Sequence, residues 1–286
     1  MYKQKIGISI GSDYDISMEK RLQIIKNAGF DAISPVWESK EALIETVNTA
    51  RGLGLELQSL HAPFGRAADM WSQDPDICTL AKDELTEAAE ACALCQIPVL
   101  VVHAWIGFDY KFEKDELYFE NFDEIVSRAE KCGIKIAFEN TEGDEYLAAL
   151  MEHFESNDSV GFCWDSGHEM CYNRSVDLLA KFGDRLIMTH LNDNLGIGSF
   201  DGEITWKDDL HLLPFDGVAD WDYNISRLQG SRYMPILNFE LKVSSKPDRH
   251  ENDIYMQMSP EQYFTEAYKR ACKIAYRYSK AGAFDK

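Results

Sequence analysis

Gly161-Phe-Cys-Trp-Asp-Ser-Gly-His168 decides how this chain is read. Val160 to Trp164 is a short apolar run of strand length, and Ser166-Gly167 is a turn signal that ends it. The strand therefore delivers Asp165 and His168 at its C-terminal end. A carboxylate and an imidazole on one rigid edge suit a divalent ion, because both are hard or borderline ligands. One such pair is weak by itself, and its weight comes from recurrence along the chain.

Working outward, eight apolar runs alternate with helical stretches. The runs are Lys5–Ser9, Ala32–Val36, Glu56–His61, Pro98–His103, Lys135–Glu139, Val160–Trp164, Leu186–Leu191 and Pro235–Leu241. Helical patterns fill Met18–Ala28, Lys40–Leu53, Ile77–Cys95, Leu117–Cys132, a stretch after Gly143, Val176–Phe182, Trp221–Gln229 and Pro260–Ser279. Such alternation predicts a (β/α)8 TIM barrel, an α/β fold, as one domain over 1–286. The runs are nearly continuous in apolar residues, as strands buried on both faces should be. No Gly-x-Gly-x-x-Gly follows the first strand, which weighs against a doubly wound dinucleotide fold.

The 286 residues carry a net charge of −20, which argues against wide contact with phosphate backbones or anionic membrane. The longest apolar run, Ile97 to Phe108, contains His103 and is too short to span a bilayer. Met1-Tyr-Lys-Gln-Lys-Ile lacks the apolar core of a signal peptide, and seven cysteines outside any Cys-rich module suit reduced thiols. A cytoplasmic protein is expected. Cys92 and Cys95 form Cys-x-x-Cys inside an alanine-rich helix and are read as packing residues. The sequence leaves a homo-oligomer open.

In a barrel of this kind the chemistry sits where strands end. The third run ends in His61, the fourth in His103-Ala-Trp105, the fifth in Glu139-Asn-Thr-Glu, the seventh in His190-Leu-Asn-Asp193 and the eighth in Glu240. The loop after the seventh run adds Asp209-Leu-His211. Five of the seven histidines fall in this set, and His153 and His250 do not. Burying so many carboxylates and imidazoles together needs a counter-charge. Lys242 is the basic residue that the strand ends supply, so a divalent cation is the economical solution. Trp37, Phe64, Trp71, Trp105 and Phe108 could stack on a sugar face, or simply pack their loops. Asp209 and His211 are expected to fold back over the mouth from an extended segment, with both side chains on one side.

These strand-end residues resemble the xylose isomerase-like superfamily of barrels, which includes sugar isomerases and epimerases, inosose dehydratases and isomerases, and the endonuclease IV type of nuclease. The resemblance runs through the whole chain, and its most specific pieces are Glu139, Asp165-Ser-Gly-His168, His190 and Glu240. It implies one divalent ion, manganese or zinc with cobalt or magnesium as alternatives, on Glu139, Asp165, His190 and Glu240. It implies that Glu139 and Glu240 exchange the proton at the reacting carbon through an enediolate. It places His168, Glu145, Trp105, His61 and His103 against a small sugar or polyol substrate, which is a sugar, a sugar phosphate or an inosose.

The endonuclease IV branch uses a three-zinc cluster. Its ligands correspond to His61, His103, Glu139, Asp165, His168, His190, Asp209, His211 and Glu240, and all nine positions are filled. Against that branch stand the overall charge and the acidic loop of Asp193, Asp201, Glu203, Asp208, Asp209 and Asp216. The loops after the second and third runs offer only Lys40 and Arg66 as cations. A barrel that merely holds a metal or a sugar is the third alternative. Ketose epimerases have an arginine six residues after the strand-seven histidine, where this chain has Gly196. Asp193 is closer to the inosose dehydratase pattern.

Overall fold

The computed structural model describes residues 4–11, 14–113, 117, 119–197 and 203–281. Asp201 of the acidic loop lies outside them. Among the described residues there are nine parallel strands: β1 (Lys5–Ile10), β2 (Ala32–Pro35), β3 (Glu56–Leu57), β4 (Leu60–His61), β5 (Val99–His103), β6 (Lys135–Glu139), β7 (Val160–Asp165), β8 (Leu186–His190) and β9 (Ile236–Phe239). They form two sheets, ordered β3-β2-β1-β9 and β4-β5-β6-β7-β8. Single parallel bridges, Val36 to His61 and Leu191 to Phe239, join the sheets at both seams and close the ring. The expected third strand is thus two pieces. Glu56 and Leu57 pair with β2, and Leu60 and His61 pair with β5. One segment changes partners at the seam, so its hydrogen-bond ladder breaks between Leu57 and Leu60.

The strands have two different buried faces, which follows from side chains alternating along a strand. Ile6, Ile8, Leu100, Val102, Ile136, Phe138, Phe162, Trp164, Leu237 and Phe239 face the surrounding helices and belong to the main core. The opposite face points into the barrel. There Val99, Val101, Ala137, Cys163 and Met188 form a small second apolar cluster. Continue each of those strands by two residues and one reaches His103, Glu139, Asp165 and His190. The apolar plug is therefore the floor on which the polar layer stands.

The ring of helices is α1 (Met18–Ala28), α2 (Lys40–Gly52), α3 (Pro75–Leu94), α4 (Phe119–Cys132), α5 (Asp144–His153), α6 (Ser166–Cys171), α7 (Leu178–Phe182), α8 (Trp221–Gly230), α9 (Asp253–Met256) and α10 (Pro260–Ala281). The short α6 corrects the expectation that Ser166-Gly167 is a turn. Asp165 ends β7 and also caps α6, accepting a hydrogen bond from the His168 amide at 2.7 Å. Asp193 builds the long loop after β8. Its carboxylate is fully buried and accepts from the amides of Asn194, Phe215 and Ala219 and from the Trp221 indole at 2.8–3.0 Å. All seven cysteines are free, and Cys92 and Cys95 are buried packing residues. Among the described residues no helix is long and apolar enough to cross a membrane.

Asp193→Ala should strand four donors that the carboxylate now accepts. A loss of roughly 2–4 kcal/mol in a urea titration is expected. An unchanged midpoint would show that the loop is held by other means.

Candidate metal centre

Glu139 lies at the centre of the mouth with no exposed surface. Its Oε1 is 2.8 Å from His190 Nδ1 and 3.6 Å from His168 Nδ1, and its Oε2 is 3.4 Å from both His61 Nε2 and His103 Nε2. His190 Nδ1 also meets Glu240 Oε2 at 2.8 Å. Asp165 is held from two sides. The Asn192 amide donates to both its oxygens at 3.1 and 2.9 Å, and Asn140 brackets its backbone. Gly167 is required here, since a Cβ would come within 1.9 Å of Asn192 Oδ1 and dislodge that amide.

Among the described residues, three groups of ligand atoms free of cysteine result, each with all its atoms within 4.8 Å of one another, beside a fourth of Glu139, Cys163 and His190. The first is Glu139, Asp165, His190 and Glu240; the second His61, His103 and Glu139; the third His168, Asp209 and His211. Asp209 joins the third group through His168 Nε2 at 3.4 Å and His211 Nε2 at 2.9 Å. The pair does come back over the mouth, but not from an extended segment. His211 has φ of +48°, and this left-handed kink swings its ring beside Asp209. Leu212 is pinned to Asp193 by a two-way backbone bridge, which fixes the kink in place.

The tautomers say what these groups suit. Nδ1 of His61 faces the Ala62 carbonyl at 2.8 Å, that of His168 the Asn140 carbonyl at 2.9 Å, and that of His211 the Glu240 carbonyl at 3.2 Å. A carbonyl only accepts, so Nδ1 carries the proton in each ring. A neutral ring then aims the Nε2 lone pair into the cluster, which is how metal-binding imidazoles are usually oriented. Nε2 of His61 and Nε2 of His103 stand 3.2 Å apart. Two ligands on a tetrahedral zinc, at about 2.0–2.1 Å each, are separated by about 3.3 Å. Glu139 Oε2 and Asp209 Oδ1 are buried without a well-formed hydrogen bond. These features fit a divalent cation. Cys163 touches the first group too, but burial pushes its thiol up to about 12, so it stays protonated.

Burial alone would favour neutral carboxyls, yet His190, His103 and His61 hold Glu139 well below the usual carboxylate range. Glu240 is lowered in the same way, with burial opposed chiefly by His190. Burial raises Asp165. His168 and His190 are raised well above an ordinary imidazole despite burial, mainly by Asp165 and Asp209 in the first case and by Cys163, Glu139 and Glu240 in the second. His211 is raised by Asp209, again against burial. Burial lowers His103.

Of the other expected residues, Glu145 is exposed on the first turn of α5, where the Tyr110 hydroxyl reaches it at 3.5 Å. Glu142, three residues earlier, is the buried one; burial raises its carboxyl, which sits in the field of His168 and Asp209. Trp105 stacks on Tyr146 at 4.1 Å and donates to the Gly107 carbonyl. Trp71 is a core residue among Phe119, Phe122 and Tyr146, so it does not line the mouth. Phe64 stacks over His103 at 4.8 Å, and Phe108 meets Tyr172, which stacks on His168 at 4.9 Å. Lys246 lies 3.6 Å from Asp209, so the mouth has a cation from the β9–α9 segment that strand ends alone do not reveal. His153 and His250 pair with Asp123 and Asp253, away from the cluster.

Residues 22–268 match the family described as xylose isomerase-like TIM barrel. The uncharacterised protein y4fM of Sinorhizobium fredii is 29% identical, with 91% of this chain and 89% of that protein covered. The IOLI protein, solved with a bound zinc atom, superposes with a TM-score of 0.74 at 18% identity, covering 96% of this chain and 99% of that one. D-psicose 3-epimerase from Clostridium cellulolyticum, solved with D-tagatose, gives 0.67 at 16% identity, covering 95% and 98%.

Metal binding at these groups must expel the protons held on His168, His190 and His211. All three are raised, so they stay protonated above the ordinary imidazole value of about 6.5. Affinity for Zn2+ or Mn2+ should climb as pH rises through that value and beyond. Calorimetry in buffers of different ionisation enthalpy should show proton release. A pH-independent affinity without release would contradict the assignment.

Proposed function

Because the chain belongs to the xylose isomerase-like TIM barrel family, we propose that it is a divalent-metal-dependent isomerase or epimerase of a sugar, sugar phosphate or inosose. The observation that carries this reading is the group of Glu139, Asp165, His190 and Glu240 at the strand ends. The zinc atom of the IOLI structure and the epimerase activity named for the D-psicose enzyme support it. A manganese or zinc ion, if held by these four residues, would supply polarisation of the carbonyl of a hydroxy-ketone. The chain supplies the proton chemistry. Before an ion binds, the protonated His190 lies between Glu139 and Glu240 and lowers both carboxyls; a bound cation would displace that proton and take over as their counter-charge. One glutamate, entering as the carboxylate, would take the proton from the carbon beside the carbonyl; the other must enter that step protonated and would give its proton to that carbon or its neighbour, so the two exchange protonation states over a turnover. Glu240 retains 15% side-chain exposure while Glu139 has none, which gives Glu240 the more open approach to substrate. Phe64, Phe108 and Tyr172 roof the histidines and would keep water from the reacting carbon.

A second reading has one observation in its favour. The three ligand groups are those that a three-ion phosphodiesterase would need. The net charge of −20 and the acidic β8–α8 loop oppose it.

Glu139→Gln and Glu240→Gln keep side-chain shape but remove the proton acceptor. Each should lower turnover by a factor of about 10²–10⁴. Metal content must be measured beside the rate, since each change also removes an anionic ligand. Substrate C–H exchange in D2O, surveyed over ketoses and inososes, is the readout. Normal exchange in both metal-loaded variants would exclude the two-glutamate step, and cleavage of abasic DNA without action on any sugar would favour the second reading.

A further inference from the structure

The barrel interior is not uniform around its circumference. Beneath the ligand layer, β5 to β8 present the apolar plug of Val99, Val101, Ala137, Cys163 and Met188. The other side carries hydroxyls and an amide. Ser59 Oγ donates to Ser34 Oγ at 3.0 Å, and Ser34 Oγ donates to Asn238 Oδ1 at 3.2 Å. Asn238 Nδ2 in turn donates to Ser9 Oγ at 2.9 Å. Ser34, Ser59 and Asn238 are at most 1% exposed, whereas Ser9 is half-buried. With the amide in this orientation the chain of donors has one direction and one open end. Among the described residues, each hydroxyl proton is used by the next member, and the proton left over is that of Ser9.

The place of that open end is fixed by register. Ser9 pairs with Ser34 across β1 and β2. On its other side β1 runs level with β9 as far as Gly7 opposite Asn238 and Ile8 opposite Phe239, and Ser9 and Glu240 are the next residues along the two chains. Ser9 and Glu240 each follow an inward-facing residue, Gly7 and Asn238, by two positions, so both face the barrel mouth. A buried hydrogen-bond chain is costly to leave unsatisfied. This one contains no charged group and ends in a hydroxyl at the mouth, next to a candidate proton-transfer carboxylate.

We propose that Ser9, oriented by the Ser59–Ser34–Asn238 chain, is a specificity-determining residue that donates a hydrogen bond to an uncharged oxygen of the substrate, and that the β1 side of the mouth takes the neutral, polyhydroxylated part of that molecule. This deepens the isomerase reading and rests on it. Most of the ion-binding residues come from the β4–β8 side, and Glu240 after β9 is where they adjoin the Ser9 wall, so the substrate is gripped at two neighbouring points with different chemistry. An oxygen acceptor of a free sugar or cyclic polyol satisfies the open donor. A phosphate would bring its charge to a wall that offers only hydroxyl and amide groups.

The test is saturation-transfer NMR titration of the full Zn2+-loaded chain with xylitol, myo-inositol, D-tagatose and D-tagatose 6-phosphate. At least one neutral probe should bind the wild type. Ser9→Ala should weaken it by about 3- to 10-fold, the range of one neutral hydrogen bond, with zinc content unchanged. Ser9→Thr, which keeps the hydroxyl, should stay within about twofold of the wild type, so a folding defect cannot imitate the result. The phosphorylated probe should bind no more tightly than D-tagatose. Unchanged affinity in Ser9→Ala, binding by none of the neutral probes, or a strong preference for the phosphate would each overturn the proposal. Loss of zinc in the wild type would instead count against the isomerase reading, because Ser9 is not a ligand.

Discussion

Glu139 is a carboxylate with no exposed surface, ringed by the imidazoles of His61, His103, His168 and His190. An isolated charge in that position would be strongly unfavourable, and the site exists because its neighbours compensate for the lost water. Much else in the molecule serves this contact. Five strands must bring their ends level so that His61, His103, Glu139, Asp165 and His190 share one layer. The apolar plug beneath them keeps water from undermining it. Removing one imidazole would leave the carboxylate less compensated, which is why the cluster behaves as a unit rather than as separate residues.

The supporting contacts are as specific as the ligands. Asn192 grips both oxygens of Asp165, Asn140 brackets the same residue from its backbone, and three histidines are oriented by carbonyls of the loops. Asp193 does the same for the β8–α8 loop, drawing four donors onto one carboxylate so that Asp209 and His211 return over the mouth. Such bracing keeps ligands oriented, and loss of such a contact commonly costs 10- to 100-fold in metal affinity or activity.

Much of this was legible from the chain alone. The alternation of apolar runs with helices set the barrel, and polar residues at the ends of those runs marked the rim. That worked because strand ends carry an unmistakable chemical contrast, apolar up to Val102 and then His103, apolar up to Phe138 and then Glu139. What escaped depends on the third dimension. The split between Leu57 and Leu60 arises from a change of partner across the barrel seam. Helix α5 begins at Asp144, which turns Glu145 to the surface and leaves Glu142 inside; the spacing of acidic residues does not say which. The left-handed backbone at His211 carries no signature in Asp-Leu-His. Asp193 sits in a motif rich in polar residues, and only its hydrogen bonds reveal that it holds a loop. Trp71 looks like any loop aromatic until Phe119, Phe122 and Tyr146 are seen around it.

The account turns on whether Glu139, Asp165, His190 and Glu240 share an ion. The most direct measurement is anomalous diffraction from crystals of the Zn2+- or Mn2+-loaded protein, recorded at the absorption edge of that metal. The account predicts a strong peak about 2.0–2.3 Å from one atom of each of the four residues. Full loading in solution with no peak among these four, or a peak held by other residues, would contradict it.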